Sequence, residues 1–397
     1  MLSNTQFKSL AKKYGTPLYV YDAQIIKKQF NDLKKAISYS PVHIYYATKA
    51  NSNLHILKLL KNQGACLDVA SPVELYLGKQ AGFGPSQMSF TGPNLTEEEI
   101  KYILKNKIIF NVDSLSQLEK VGKISPGNKI GLRINPAHGA GHHKKVVTAG
   151  EDSTFGIYYK DIKKAQSIAQ KYNLQIKGLH QHIGSGILKV REFTKALDVL
   201  LTTAKQFKNL EYIDFGGGLG IPYKPEDKPL DVGEFGREIS NKFEIFTKEY
   251  GKNLRMHLEP GRFLVAQSGT LLAQVSALKT TPNKEAVVGT NSGMTHLIRP
   301  ALYGAYHKIE NITNAGAQKE KYTIIGNICE SSDVFAKNRL IAKPREGDIL
   351  AIRDTGAYGF AMASRFNGRL LPAEVLVDGG NVKLIRRRDT FKNFLSL

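Results

Sequence analysis

The chain has 397 residues, 42% of them hydrophobic and 23% charged, and a formal net charge of +21. This is the make-up of a globular protein with two domains, or a barrel with an appendage, and it excludes a low-complexity chain. No apolar run reaches the length of a membrane span. Residues 1–7 lack the basic-then-apolar order of a signal peptide, and Cys66 and Cys329 are too few for a disulfide framework, so a cytoplasmic location is expected.

The basic excess is spread along the chain as lysine pairs, with its densest cluster at Arg386-Arg387-Arg388. There is no zinc-finger spacing, helix-turn-helix or basic region interleaved with aromatics, so nucleic acid is not an expected partner. Charge alone supplies only non-specific attraction, although it favours anionic substrates and cofactors.

In chain order, 17–21 predicts a lead-in strand and 43–47 the first strand of a repeating pattern. That strand stops at Lys49, within Tyr46-Ala47-Thr48-Lys49-Ala50-Asn51. Residues 52–64 predict a helix: Ser52 suits the N-cap, Leu54, Ile56, Leu57 and Leu60 share an apolar face, and Gly64 suits the end. Lys49 is thus expected in a strand-to-helix turn, where desolvation would lower the pKa of its amine and ready it to attack a carbonyl. For the hexapeptide alone, a solvated surface lysine is the plainer alternative. Further strands are expected at 66–70, 88–91, 108–112, 130–134, 176–182, 212–215 and 254–258. Helical patterns lie between most of them, at 72–81, 96–105, 115–121, 160–171, 190–207 and 233–249. Eight such units favour a closed parallel β/α barrel over an open sheet, here over residues 25–265.

Polar residues collect where these strands end: Lys49, Asp68, Arg133, Asn135, His182, Ser185, the glycines after the seventh strand, and Glu259. In a parallel barrel those ends open on one face, so residues distant in sequence converge. After Arg262 the texture becomes strand-like, at 263–278, 286–290, 322–325, 348–353, 373–377 and 382–386. This predicts a second, mostly antiparallel β domain built from 266–397 and the N-terminal segment 1–24.

Several motifs carry possible chemistry. Asp214-Phe215-Gly216-Gly217-Gly218-Leu219-Gly220 suits close backbone approach to a phosphate, or a plain tight turn. In Glu259-Pro260-Gly261-Arg262 the acid can hold a protonated ring nitrogen and the arginine a phosphate or carboxylate; a surface ion pair is the alternative. His180 and His182 share strand parity. We read His182 as a ring stacked on a planar cofactor and Ser185 as a phosphate contact; a metal site lacks an evident carboxylate or cysteine partner. Cys329-Glu330 sets a thiol beside a carboxylate, able to donate a proton, although a buried inert cysteine is the commoner case.

Together these motifs resemble the fold-type III pyridoxal-phosphate decarboxylases, and within them the branch acting on diaminopimelate. The resemblance runs from Tyr19 to Arg388. Beyond the stretches already quoted, it rests on Gly131-Leu132-Arg133-Ile134-Asn135-Pro136, Leu297-Ile298-Arg299-Pro300-Ala301-Leu302-Tyr303 and Asp354-Thr355-Gly356-Ala357-Tyr358-Gly359. It implies an alanine-racemase-like barrel, the cofactor pyridoxal 5'-phosphate, and decarboxylation of meso-2,6-diaminopimelate to L-lysine and CO2, the last step of lysine biosynthesis. It also implies a homodimer with shared active sites.

By the same resemblance Lys49 holds the cofactor covalently, Glu259 keeps its ring nitrogen protonated and His182 stacks on the ring. Asp68, Arg133, Ser185, Gly216, Gly217, Gly218, Pro260, Gly261, Arg262 and Tyr358 complete the cofactor site. Arg262, Arg299, Tyr303, Glu330 and Tyr358 meet the substrate, Cys329 is the proton donor, and no metal is implied. Two positions depart from the family: Thr154 stands where a lysine is common, and Asn291 where an aspartate is. Decarboxylases of ornithine, arginine or carboxynorspermidine are the alternative. Arg299 and Glu330 argue against them, since they match a distal carboxylate and amine.

Overall fold

The computed structural model describes residues 2–395; Met1, Ser396 and Leu397, at the ends of the expected second domain, lie outside the described residues. The chain forms two compact units: Gln29–Ile221 with Lys228–Leu264, and Met1–Lys28 with Pro222–Asp227 and Val265–Leu397. The sequence reading put the boundaries at 24/25 and 265/266, and did not foresee that 222–227 belongs with the second unit.

Helix Asn4–Tyr14 opens the chain, capped reciprocally by Ser3 and Gln6, and leads to strand β1 (Leu18–Asp22). The first unit then follows: β2 (Val42–Ala47), β3 (Cys66–Val69), β4 (Met88–Thr91), β5 (Ile109–Val112), β6 (Lys129–Asn135), β7 (Ile157–Tyr158), β8 (Gln175–His180), β9 (Tyr212–Asp214) and β10 (Arg255–Leu258). All pairings are parallel. β2-β3-β4-β5-β6-β8-β9-β10 closes through the β10–β2 pairing into an eight-stranded barrel, with the short β7 added to β6.

The barrel interior is filled by Tyr212, whose hydroxyl donates to Asn111 Oδ1 at 2.7 Å and whose ring stacks on His257 at 4.6 Å. Two glycines in register on the neighbouring strands β6 and β8 make the room. A Cβ on Gly178 would stand 2.0 Å from the Tyr212 ring, and one on Gly131 2.2 Å from its hydroxyl. Barrel interiors are packed with side chains in layers, so one large ring demands small neighbours.

Most expected elements lie within a residue or two of the observed ones. The strand expected over 176–182 ends at His180, and His182 lies in the loop beyond. Helix Leu54–Asn62 is capped by Asn53, whose Oδ1 accepts from His55 N–H at 3.0 Å, and not by Ser52. The strand expected from 263 begins at Gly269, because the Pro260-Gly261 turn leads into the short helix Arg262–Val265. Helix Ala23–Ala36 was not foreseen.

The second unit continues with β11 (Gly269–Thr280), β12 (Ala286–Thr290), β13 (Ile309–Asn311), β14 (Lys319–Ile325), β15 (Val334–Ala342), β16 (Ile349–Arg353), β17 (Ala373–Asp378) and β18 (Asn381–Arg386). Its sheet runs β15-β14-β12-β11-β1-β17-β18, with β16 joining β11 and β13. Only the β12–β14 and β1–β17 pairings are parallel. Strand β1 is buried along its whole length, between β11 and β17. Phe7, Leu10 and Ala11 of the first helix share a core with Leu18, Val20, Leu272 and Val375. The arginine cluster near the C-terminus is largely used inside this unit. Arg386 donates to Pro372 O and Asp389 and lies over the Phe360 ring, while Arg388 donates to Tyr14 O and Pro17 O.

Candidate active site

At the C-terminal end of the barrel, Lys49 sits in the 3-10 turn Thr48–Ala50 directly after β2. Tyr46 fixes this turn by donating its hydroxyl to Asn51 O at 2.9 Å, and Ala47 N–H donates to Pro260 O at 3.2 Å. The lysine turn is thereby tied to the Glu259-Pro260-Gly261 segment. Lys49 is less buried than the sequence reading implied: its side chain is 41% exposed, and its amine donates to Asp68 Oδ2 at 2.6 Å. Pairing with an anion, rather than desolvation, sets its surroundings. Asp68 is sealed beneath it. Burial, then the charge of Glu259, push its carboxyl up to about 7, against the pull of Lys49.

Glu259 follows β10 and is 4% exposed. Burial alone would raise its pKa, but His180, which donates from Nε2 to Oε2 at 2.9 Å, with help from Lys49, holds it at about 2. Glu259 is thus a stable buried anion. Its Oε1 has no hydrogen-bond donor among the described residues.

His182 lies beyond β8, and its Nδ1 accepts the Gly217 N–H at 3.2 Å. Burial, then Lys49 and Arg133, hold its pKa well below the usual value, so the ring is neutral. Ser185 Oγ accepts from Arg262 Nε at 3.2 Å and Nη2 at 2.9 Å. Gly216 N–H donates to Asp214 Oδ1 at 2.8 Å. The first two amides of the glycine loop therefore orient Asp214 and His182. Gly216 and Gly218 have φ of +69° and +107°, a backbone that favours glycine. Arg133 pairs with Asp113 at 2.7 Å and covers the Phe155 ring at 4.8 Å.

In the second unit, Arg299 is 1% exposed. Its guanidinium lies 4.6 Å over the Tyr223 ring, and its Nη1 donates to His307 Nε2 at 2.9 Å. His307 Nδ1 donates to Arg353 O at 2.8 Å, which fixes the tautomer. Tyr303 ends the short helix Arg299–Tyr303, and Tyr358 has a left-handed φ of 55°. Cys329 is exposed, contrary to the commoner expectation of a buried thiol, and Glu330 beside it is exposed too. Their loop is wrapped around the Asp333 carboxylate, which accepts from Met294 N–H at 2.6 Å and Ile328 N–H at 2.8 Å, while Cys329 N–H donates to Asn367 Oδ1 at 2.8 Å. Of the two departures, Asn291 donates to Thr16 Oγ1 at 2.9 Å and accepts from Gln274 N–H at 2.9 Å, and Thr154 is exposed.

Three residues of this neighbourhood escaped the sequence reading of the site: His180, Asp214 and Asp113. Strand parity was the available signal for His180. Its carboxylate partners come from other strands, so only the fold reveals them. His180, Asp214 and Glu259 bring ligand atoms within 4.8 Å of one another, supplying the carboxylates that a metal reading had lacked. The direct 2.9 Å His180–Glu259 contact is nevertheless that of a hydrogen bond.

A barrel with an amine at its mouth and a fixed anion in its floor is a frame for a carbonyl cofactor that carries a basic ring nitrogen. The chain belongs to the pyridoxal-dependent decarboxylases: the family described as "Pyridoxal-dependent decarboxylase, pyridoxal binding domain" matches residues 23–266. Its relatives within that family include diaminopimelate decarboxylases. The one from Methanothermobacter thermautotrophicus is 41% identical over 97% of this chain and 92% of its own length. Among solved structures, a diaminopimelate decarboxylase superposes with a TM-score of 0.92 at 34% identity, covering 99% of this chain and 96% of that one. The Helicobacter pylori enzyme, solved in complex with L-lysine, gives a TM-score of 0.90 at 31% identity, covering 98% of both chains.

The residues present fit pyridoxal phosphate. The open acceptor Oε1 of an ionised, buried Glu259 suits a protonated pyridine nitrogen, and the Lys49 amine at the barrel mouth suits the aldehyde.

Proposed function

We propose that this chain decarboxylates meso-2,6-diaminopimelate to L-lysine and CO2 with pyridoxal 5'-phosphate. The observation that carries the reading is the pairing of an accessible Lys49 amine with a buried, ionised Glu259 at one end of a barrel of this family. Bound there, pyridoxal phosphate supplies a protonated ring that accepts the electron pair left on the substrate Cα when CO2 departs.

The chain's own residues do the rest. Lys49 Nζ, partly exposed at the barrel mouth, would hold the cofactor through its aldehyde. Glu259 keeps the proton on the ring nitrogen. His182, neutral and oriented by Gly217 N–H, would pack on the ring face. Ser185, Arg262, Gly216, Gly217, Gly218, Pro260 and Gly261 would line the phosphate side, with Asp68 beside Lys49 and Arg133 near His182. Cys329 Sγ gives a proton to Cα in place of the lost carboxylate and regains one from solvent. Arg299, stacked on Tyr223 and braced by His307, suits the distal carboxylate, and Glu330 the distal amine. Tyr303 and Tyr358 complete the substrate side.

Cys329 and Glu330 are both exposed on the chain, which supports their donation to the site of a second copy in a homodimer. Two free thiols favour the cytoplasm as the compartment.

Product analysis with stereochemically pure diaminopimelate isomers tests the reading. L-lysine and CO2 from the meso isomer are expected. No turnover by folded, cofactor-loaded protein, or faster turnover of ornithine or arginine, would overturn it.

A further inference from the structure

A row of ionisable side chains crosses the barrel interior. Arg133 is in register with His180, His180 with Asp214, Asp214 with His257, and His257 with His43. Register partners in a parallel sheet stand side by side and point the same way. Two members of this row that the reaction does not itself use, His180 and Asp214, meet Glu259 in one sealed cluster. His180 Nε2 holds Glu259 Oε2. Asp214 Oδ1 accepts the Gly216 N–H. That leaves Asp214 Oδ2 and Glu259 Oε1 as two buried carboxyl oxygens with no N–H donor. Two carboxylates with ligand atoms within 4.8 Å of one another in a sealed cluster do not both ionise; a proton on Asp214 Oδ2 gives Glu259 a donor, while another lone pair of the Glu259 carboxylate stays open to the ring nitrogen.

We propose that Asp214 is a carboxylic acid whose Oδ2–H donates to Glu259, and that Asp214 and His180 are positioning residues that fix Glu259 as a single oriented anion for the cofactor's ring nitrogen. This rests on the functional reading above and extends it inward by one layer of the barrel.

The groups facing Asp214 are His180 on β8, His257 on β10 at 3.8 Å, Glu259 after β10, Tyr45 on β2 and, further off, Asp68 on β3. None balances a second negative charge. His180 is engaged by Glu259, and Lys49 by Asp68. His257 is kept neutral by burial, then by His43 and Arg255. Burial and Glu259 accordingly push the Asp214 carboxyl far above its usual range. An acid held neutral in an apolar site becomes a hydrogen-bond donor.

Asp214→Asn is the decisive variant, because an asparagine can accept from Gly216 with Oδ1 and donate to Glu259 with Nδ2. Infrared difference spectroscopy of the full chain without cofactor, wild type against Asp214→Asn, should show a protonated-carboxyl stretch at neutral pH that the variant loses. Absence of that band overturns the proposal. Titration with pyridoxal phosphate gives a second readout. Asp214→Asn should bind within about threefold of wild type, while Asp214→Ala and His180→Ala should lose on the order of tenfold or more, the cost of a buried acceptor left without its donor. Equal losses in Asp214→Asn and Asp214→Ala would mean that the negative charge is what matters, and overturn it as well. If the wild type itself fails to bind the cofactor, the functional reading fails instead, whatever the infrared band shows.

Discussion

Lys49 and Asp68 form an ion pair of 2.6 Å whose halves live in different media: the lysine side chain is 41% exposed and the aspartate 1%. The cation is hydrated while the anion is sealed, so Asp68 bears the cost of the pair. Its carboxyl, raised to about 7 in the fold by burial and Glu259, is ionised above about 4 in the unfolded chain. Between those values the folded chain holds a proton that the unfolded chain has released, so this contribution to stability falls as pH rises through the window. Urea midpoints measured from pH 4 to 8 should therefore decline for the wild type relative to Asp68→Asn, and the difference should level off above about pH 7. Parallel curves would mean that Asp68 is ionised throughout.

Glu259→Gln removes the fixed anion while keeping its shape. Preorganised electrostatic groups of this kind contribute about 10²–10³-fold to kcat. A loss of that size in steady-state decarboxylation is expected, with far-ultraviolet circular dichroism unchanged. A loss below threefold would remove Glu259 from the ring nitrogen.

Cys329→Ala separates chemistry from stability. The side chain is exposed, so the unfolding free energy should move by no more than about 0.5 kcal/mol. Loss of a positioned proton donor should lower kcat roughly 10²–10⁴-fold. A variant that turns over normally would point to another donor.

Arg299→Lys tests substrate choice. The planar guanidinium is stacked on Tyr223 and braced by His307, a geometry that an ammonium does not reproduce. For meso-diaminopimelate kcat/KM should fall roughly 10–100-fold, the size of a lost charge-assisted hydrogen bond. A slow substrate without the distal carboxylate should be affected far less. Equal losses on both would assign Arg299 to the fold rather than to recognition.

Gly178→Ala tests the packing of the barrel. The added carbon meets the Tyr212 ring at 2.0 Å, and overpacking of this kind costs about 1–3 kcal/mol. Gly316→Ala, where nothing lies within 4 Å, is the control and should be near neutral in the same urea titration.

Much of the barrel was legible because most strands end in a polar or glycine-rich stretch and helical patterns lie between most of them, both local signals. The Lys49 turn, Glu259 and the glycine loop stood out for the same reason. What stayed hidden depends on neighbours that only the fold supplies. Lys49 read as a desolvated amine because its strand is apolar, yet its exposure is set by the mouth of the barrel and its charge by Asp68 on the adjacent strand. His180 was one of two candidate histidines until Glu259, 79 positions later, came within 2.9 Å. Strands β13 and β15 were missed: β13 is only three residues long, and β15 places Lys337, Asn338 and Arg339 in mid-strand. In sequence the arginine cluster is only the densest basic stretch, whereas in the fold two of its three members are tethered to backbone carbonyls.

The place of β1 in its sheet bears on how the polypeptide emerges from the ribosome. This fully buried strand is made about 250 residues before its neighbour β11 and about 350 before β17. At translation rates of about 5–20 residues per second, its edges wait unpaired for some tens of seconds, sticky to any other extended segment nearby. A chaperone that shields the nascent β1 segment during that interval should raise the yield of active enzyme more than one supplied after release.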